Sequence, residues 1–288
     1  MPKGEILMKK FLTLLLSLVV ALTACVGLTA CNPPEDTNKP VIVSGITLIE
    51  EQYGIAAKKG NDALISKVND ALIALADGQM KTIANTYGLA SEIAVTSTTT
   101  NPKAEATDDS WDKIVTKGKV IIGYTIFAPI AYDVVNDQPT KGYDIELAKA
   151  VFAQLDPNIE VEFFKIEWSA KEAMLEAGTI DLVWNGLTIT PARSEEMCIS
   201  IPYLNNKQVA VVMSKNAEKY STIDGMKDAI TGAEDGSAGE EQIAAKQIGS
   251  EYIKCKSQLD AFNMLKTGTL QVIVIDSVMA NYYISLED

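Results

Sequence analysis

The residues able to do chemistry in this chain form a short inventory. None of the 288 residues is a histidine, which removes the commonest general base and a common metal ligand. Without histidine there is no Ser–His or Cys–His set, and no stretch shows metal-ligand spacing, so no catalytic residue, metal or other cofactor is expected. What remains are groups suited to holding a small charged molecule. Arg193 follows Thr188-Ile189-Thr190-Pro191 at a helix start. A guanidinium there can grip a carboxylate with two parallel N–H groups, or it can be a surface arginine. Asn185, Gly186 and Thr188 precede it in a strand-to-helix loop and offer backbone groups and a hydroxyl. Ser237 with Glu240 three residues on is a capping-box pattern. Beyond the cap, the free N–H groups from Ser237 and Ala238 onward can face an anion. Asp276 ends an apolar strand, where ligands of α/β sheets sit, and it can equally cap the following helix. Phe127 and Trp168 can wall a cleft or fill a core, and Tyr124 and Trp184 are further aromatic candidates. Glu234 stands two residues before Gly236 and reads either as an acceptor for a cation or as a solvated surface acid.

These residues need elements to position them. Hydrophobic residues make up 47% of the chain, enough to bury one or two cores, and the net charge is −13. An acidic surface argues against nucleic acid as a partner, because phosphate recognition needs a basic face. Residues 1–31 read as a targeting segment. Lys9-Lys10 opens it, and the apolar run 11–23 is too short to span a bilayer as a lone helix. The run ends in Leu22-Thr23-Ala24-Cys25, and the same letters recur as Leu28-Thr29-Ala30-Cys31. Leu-x-small-Cys resembles the bacterial lipobox, whose cysteine is lipidated and becomes the mature N-terminus. Cys31 is favoured, since a polar tether at 32–40 follows at once, and Cys25 is the alternative. Cys198 and Cys255 remain in the body, where two buried reduced thiols are expected rather than a disulfide.

A second polar stretch, 96–110, divides the mature chain into a short block, 41–95, and a long one, 111–288. In the long block, strands are expected at 119–124, 161–164, 182–184, 208–213, near Ile230, at 252–256 and at 271–275. Helices are expected at 144–155, 169–177, around Met226, at 240–247, at 259–266 and from Ser277. Strands separated by single helices imply parallel sheets covered on both faces. The short block holds a strand at 52–57 and a helix whose buried stripe is Leu64, Val68, Leu72 and Leu75. Gly78 is expected to break it before a second helix at 80–87.

The long block also resembles a known family, the polar amino-acid-binding lipoproteins of ABC importers (solute-binding protein family 3). The landmarks, in order, are Phe127-Ala128-Pro129-Ile130, Lys141-Gly142-Tyr143-Asp144-Ile145-Glu146-Leu147-Ala148 and Ile180-Asp181-Leu182-Val183-Trp184-Asn185-Gly186-Leu187-Thr188-Ile189-Thr190-Pro191-Ala192-Arg193. Ser200-Ile201-Pro202-Tyr203, Gly236-Ser237 and Val274-Ile275-Asp276-Ser277 complete them. The family normally continues into Glu-Gln-Tyr-Gly-Ile-Ala and two terminal helices. Here that piece stands at the front, as Glu51-Gln52-Tyr53-Gly54-Ile55-Ala56. The order therefore looks circularly permuted, with 96–110 joining the family's usual termini. The other explanation is a fragment pair that completes itself by swapping with a neighbour.

The resemblance implies an α/β, type II periplasmic-binding-protein-like fold of two lobes joined by hinge strands at 52–57 and 208–211. Lobe 1 would comprise 58–95 and 111–207, and lobe 2 would comprise 41–57 and 208–288. It implies that Arg193 and Thr188 take the carboxylate of an amino acid, with Asn185 and Gly186 lending backbone groups. The helix start at Ser237 and Ala238 would assist them. Asp276 would pair the ammonium, and Phe127 and Trp168 would clamp the side chain. Two departures put specificity in doubt. The segment between Gly123 and Phe127 is shorter than usual, and the acid many members carry there is absent, with Tyr124 and Thr125 instead. The implied protein is a monomeric extracytoplasmic lipoprotein, not an enzyme. It would be anchored on the outer face of a membrane, in a Gram-positive cell, and would deliver a polar or basic amino acid to an ABC permease. A carboxylate-based enzyme and a sensory binding module of the same fold are the rival classes.

Overall fold

A computed structural model describes residues 40–287. The targeting segment, both candidate lipidation cysteines and all but the last residue of the tether lie outside the described residues. The chain enters on β1 (Val41–Lys58), three times the expected strand. Only residues 53–57 are buried without interruption, whereas 42–52 are largely half-buried or exposed. The first stretch pairs with β8 (Leu204–Met213), and the buried stretch pairs with β6 (Leu182–Thr188) and β7 (Met197–Ile199). An apolar run is legible only where both faces are covered, which is why the sequence reveals the end of β1 and hides its beginning.

α1 (Asp62–Leu75) and α2 (Lys81–Thr86) follow. Leu64, Val68, Leu72 and Leu75 are all buried, as their spacing requires. Gly78 does not break the helix. It lies in a π-helical turn, Ala76–Met80, that carries α1 directly into α2. Residues 96–110 form no strand or helix before α3 (Ser110–Lys117), yet the stretch is tied down. Asp108 accepts the Ala63 N–H at 2.7 Å and Ser110 accepts the Leu64 N–H at 2.9 Å. Two donors that the first turn of α1 leaves free are thus satisfied from the far end of the stretch.

β2 (Lys119–Tyr124), the hairpin β3 (Tyr132–Val135) and β4 (Gln138–Lys141), α4 (Tyr143–Leu155) and β5 (Glu160–Lys165) come next. A 3-10 turn at Trp168–Ala170 leads into α5 (Lys171–Glu176), then β6, α6 (Pro191–Glu196), β7 and β8. The expected helix around Met226 is only a 3-10 turn, Asp224–Met226. β9 (Ile230–Glu234), α7 (Ala238–Lys246), β10 (Glu251–Cys255), α8 (Gln258–Lys266), β11 (Val272–Asp276) and α9 (Ser277–Ser285) complete the described chain.

The main sheet runs β10-β9-β11-β8-β1-β6-β2-β5, with β7 on β1. Its wings are parallel, β10-β9-β11 on one side and β6-β2-β5 on the other. Its centre is not, which corrects the expectation of purely parallel sheets. β8 is antiparallel to β11 and β1, and β1 is antiparallel to β6. Each wing is built from strand–helix–strand units, which force parallel pairing, whereas β1 and β8 are long crossings between wings. Each wing has its own apolar cores. One gathers Trp184, Phe152, Leu72 and Ile122, and the other gathers Phe262, Ile273, Leu265 and Val211. The result is a two-lobed α/β protein. Cys198 and Cys255 are buried free thiols.

The turn into α4 depends on one glycine. Gly142 has φ +134°, and a Cβ there would lie 2.1 Å from the Ile130 carbonyl oxygen. Gly142→Ala is therefore expected to lower unfolding stability by about 3 kcal/mol or more, measured by urea denaturation.

Candidate functional site

All ten residues singled out above, Phe127, Trp168, Asn185, Gly186, Thr188, Arg193, Glu234, Ser237, Ala238 and Asp276, line one cavity between the lobes, joined by Thr125 and Gln258. The cleft is nearly shut. Its interior measures about 10 Å³, on a scale where one water needs 10–15 Å³. Tyr124 and Trp184 are fully buried in the core and do not line it.

The wall from lobe 1 begins at the end of β6. Gly186 has φ +66°, and a Cβ there would press on the Phe127 ring at 2.7 Å. Its N–H donates to Asp144 Oδ2 at 3.0 Å, an oxygen that also accepts the Tyr203 hydroxyl at 2.8 Å. Burial pushes the Asp144 carboxyl up to about 7. Asn185 meets the Thr125 hydroxyl at 2.8 Å. Thr190 caps α6 by accepting the Arg193 N–H at 3.1 Å. Arg193 is 7% exposed. Its Nη1 donates to the Thr188 carbonyl at 2.9 Å, and Nη2 reaches across the cleft to the Gly236 carbonyl at 3.3 Å and Glu241 at 3.2 Å. Lys171 is buried beside it and donates to the same Gly236 carbonyl at 3.2 Å. Burial and the Arg193 charge hold the Lys171 ammonium below its usual range.

The wall from lobe 2 is acidic. Ser237 caps α7, accepting the Glu240 N–H at 3.2 Å, while Glu240 reaches back to the Gly236 N–H at 2.7 Å. Asp276 precedes α9 but its side chain makes no capping bond. Its carboxylate points into a net of neutral donors instead. Tyr53 and Gln258 donate to it, with Asn206 at 2.6 Å and Gln208 at 3.0 Å. The same two amides also donate to Glu51, at 2.6 and 2.8 Å. Burial and then the Asp276 charge push the Glu51 carboxyl up to about 8. Burial raises Asp276 as well, against the pull of its hydrogen bonds. Glu234, at the end of β9, is 4% exposed, and burial followed by the Asp276 charge pushes it up to about 8.

Sequence reasoning missed Glu51, Lys171, Asn206, Gln208 and Gln258. Asn206 and Gln208 share one face of β8, but Asn205 and Lys207 between them make the stretch a polar run with no alternation to single them out. Nothing local marks Gln258, the first residue of α8. Among the described residues no group of His, Cys, Asp or Glu could hold a metal ion.

The buried acids set a pH dependence. An acid whose folded pKa lies above its unfolded value contributes stability at low pH, and that stability is lost as pH rises through the folded pKa. For Glu51 the window runs from about 4.5 to about 8. Glu51→Gln keeps the shape and the acceptor oxygen while removing the charge. It is expected to leave stability at pH 5 nearly unchanged and to raise it at pH 9 by about 2 kcal/mol, read from denaturation curves at both pH values.

The sequence profile of the bacterial extracellular solute-binding proteins, family 3, matches residues 120–278. ABC transporter arginine-binding protein 1 of Escherichia coli is 29% identical over 143 residues, which is 50% of this chain and 57% of that protein. The arginine-binding extracellular protein ArtP of Bacillus subtilis is 25% identical over 177 residues, 60% of this chain and 66% of its own length. The chain thus spans somewhat under two thirds of the length of these two relatives. A histidine-bound substrate-binding protein of an ABC uptake transporter from Streptococcus pneumoniae shares 33% identity and a TM-score of 0.57. That match covers 62% of this chain and 74% of the other. With the profile spanning more than half of the chain and the two-lobed fold in place, the protein belongs to the bacterial extracellular solute-binding proteins, family 3.

Proposed function

We propose that this protein captures a free amino acid between its two lobes and presents it, without turnover, to the permease of an ABC importer. One observation carries the reading: a buried guanidinium from one lobe and a buried carboxylate from the other line the same cavity. A zwitterion needs both, since an unpaired buried charge costs several kcal/mol. Arg193 and Thr188 take the carboxylate, helped by Asn185, Gly186 and the α7 start at Ser237 and Ala238. Asp276 takes the ammonium, and Phe127 and Trp168 wall the side chain. The cavity is too small to admit an amino acid as it stands, so entry requires the lobes to part. β1 and β8, the strands common to both lobes, are the hinge. The closed form is the one the permease would recognise.

The chain order in this reading is a circular permutation. Residues 39–288 form one compact unit, which supports this order over completion by swapping. Val41 belongs to the same apolar cluster as Tyr283 and Ile284, which supports a displaced opening between the start of β1 and the end of α9. The stretch at 96–110 then bridges the family's usual termini. The rest of the reading is a cleaved signal at 1–31, a lipid on Cys31 or Cys25 and a tether at 32–40. It places a monomer on the outer face of the cell membrane, tethered through the lobe that carries Asp276. No helix among the described residues is long and apolar enough to cross a membrane.

A thermal-shift panel of the twenty amino acids with ornithine and cystine tests the proposal. A ligand at 100 times its Kd adds about 2.7 kcal/mol, a rise in Tm of roughly 5–10 °C for a chain of this size. At least one amino acid is expected to give such a shift and to be recovered unchanged. Arg193→Ala and Asp276→Ala are expected to abolish it. A Tm that no amino acid moves would end the amino-acid reading.

A further inference from the structure

Glu234 is the one charged group lining the cavity that an amino acid's own carboxylate and ammonium leave unanswered. It lines the cavity with Arg193 and Asp276, yet its Oε1 is buried with no hydrogen-bond partner. Lys171, the nearest spare cation, is not available to it. An ammonium has three donors, and those of Lys171 go to the Trp168 carbonyl at 3.3 Å, the Gly236 carbonyl at 3.2 Å and Glu172 at 3.0 Å. Gln258 contacts Glu234 and also donates to Asp276, so it is a neutral support shared by both acids. With both acids ionised, Asp276 and Glu234 against one guanidinium, Arg193, give the walls one acid in excess, and without a cation to pair it burial keeps Glu234 protonated up to about pH 8. A neutral zwitterion pairs Arg193 and Asp276 and leaves that excess in place. A zwitterion whose side chain carries one positive charge cancels it.

We infer that the cavity is built for an amino acid whose side chain ends in a cation, and that Glu234 is the residue that reads that cation. The inference rests on the amino-acid reading above and names the substrate class within it. Glu234 and the aromatic walls Trp168 and Phe127 line the cavity together. A flat guanidinium or a slim ammonium can be flanked by rings and paired at its end by a carboxylate. Neither Thr125 nor Gln258, the remaining polar wall residues, carries charge, so the selection falls to Glu234.

The groups facing Glu234 also give it a pH signature. Asp276 at the start of α9 and Glu167 across the cleft disfavour its charge, Lys171 and Gln258 favour it, and Cys255 lies on the neighbouring strand β10. With its carboxyl pushed up to about 8, Glu234 gives up a proton when a cation arrives at neutral pH. Asp276 and Glu51 titrate in the same site and affect every amino acid alike. The ratio of affinities for a cationic ligand and its neutral twin therefore reports Glu234, with its neighbours acting on that ratio through its ionisation.

Arginine and citrulline are that pair, alike in length and shape and different in charge. Isothermal titration of the purified protein with arginine, lysine, citrulline and glutamine at pH 6, 7.5 and 9 is the test. Arginine is expected to bind more tightly than citrulline by about 10- to 100-fold at pH 9, with the ratio shrinking toward pH 6. Glu234→Gln is expected to bring the ratio to within a few-fold, with a cooperative melting curve showing that the variant is folded. Citrulline or glutamine binding as tightly as arginine, or an unchanged ratio in Glu234→Gln, would overturn the inference and leave the amino-acid reading intact. Failure of every amino acid to bind would overturn both.

Discussion

A carboxylate taken out of water must be bonded on all sides or give up its charge. Asp276 meets this condition with neutral donors only. Tyr53 comes from β1, Asn206 and Gln208 from β8, and Gln258 from the start of α8. Four neutral donors favour the ionised form without cancelling its charge, against the burial that opposes it. The donors also tie the site to the architecture. β1 and β8 are the strands that pair with both wings of the sheet. The group at the heart of the cavity is therefore held by the segments about which the lobes would move.

The opposite wall works by different means. Arg193 is placed by α6, whose Thr190 cap fixes the helix start and whose guanidinium leans on the Thr188 carbonyl. Its second arm and Lys171 both reach the Gly236 carbonyl on the far lobe. With the cleft shut, these bonds and the Arg193–Glu241 pair join the lobes. Glu241 is half-exposed, so that pair is weak and exchangeable. A buried carboxylate held at two points would be a stronger partner for the same guanidinium.

Glu51 adds a second carboxylate behind Asp276 that shares two of its donors. Burial and then the Asp276 charge raise the Glu51 pKa, and the shared amides offset them only in part. Charging of Glu51, Asp276 and Glu234 is thus coupled within one buried cluster.

Much of the architecture was legible in the residues. The apolar stripe of α1, the strand–helix alternation of the wings and the cap at Ser237 follow from short-range pattern, and the loop residues of the cavity from the family resemblance. Helix and strand periodicity, and the capping of a first turn, are properties of neighbouring residues. The beginning of β1, the π turn at Gly78 and the missing helix at Met226 were not legible, because partial exposure or local packing overrides periodicity there. The charge states were not legible either. Glu234 read as readily as a solvated acid, and Glu51, Asn206, Gln208 and Gln258 drew no notice as site residues. Sequence by itself determined which segments could form strands, helices and caps, and which side chains stood at their ends. Only the tertiary structure decided that Arg193 and Asp276 face one cavity, that neutral amides surround the acid, and that one oxygen of Glu234 is left without a hydrogen-bond partner. Burial and pairing of a charge depend on what distant segments bring beside it, and no local pattern encodes that.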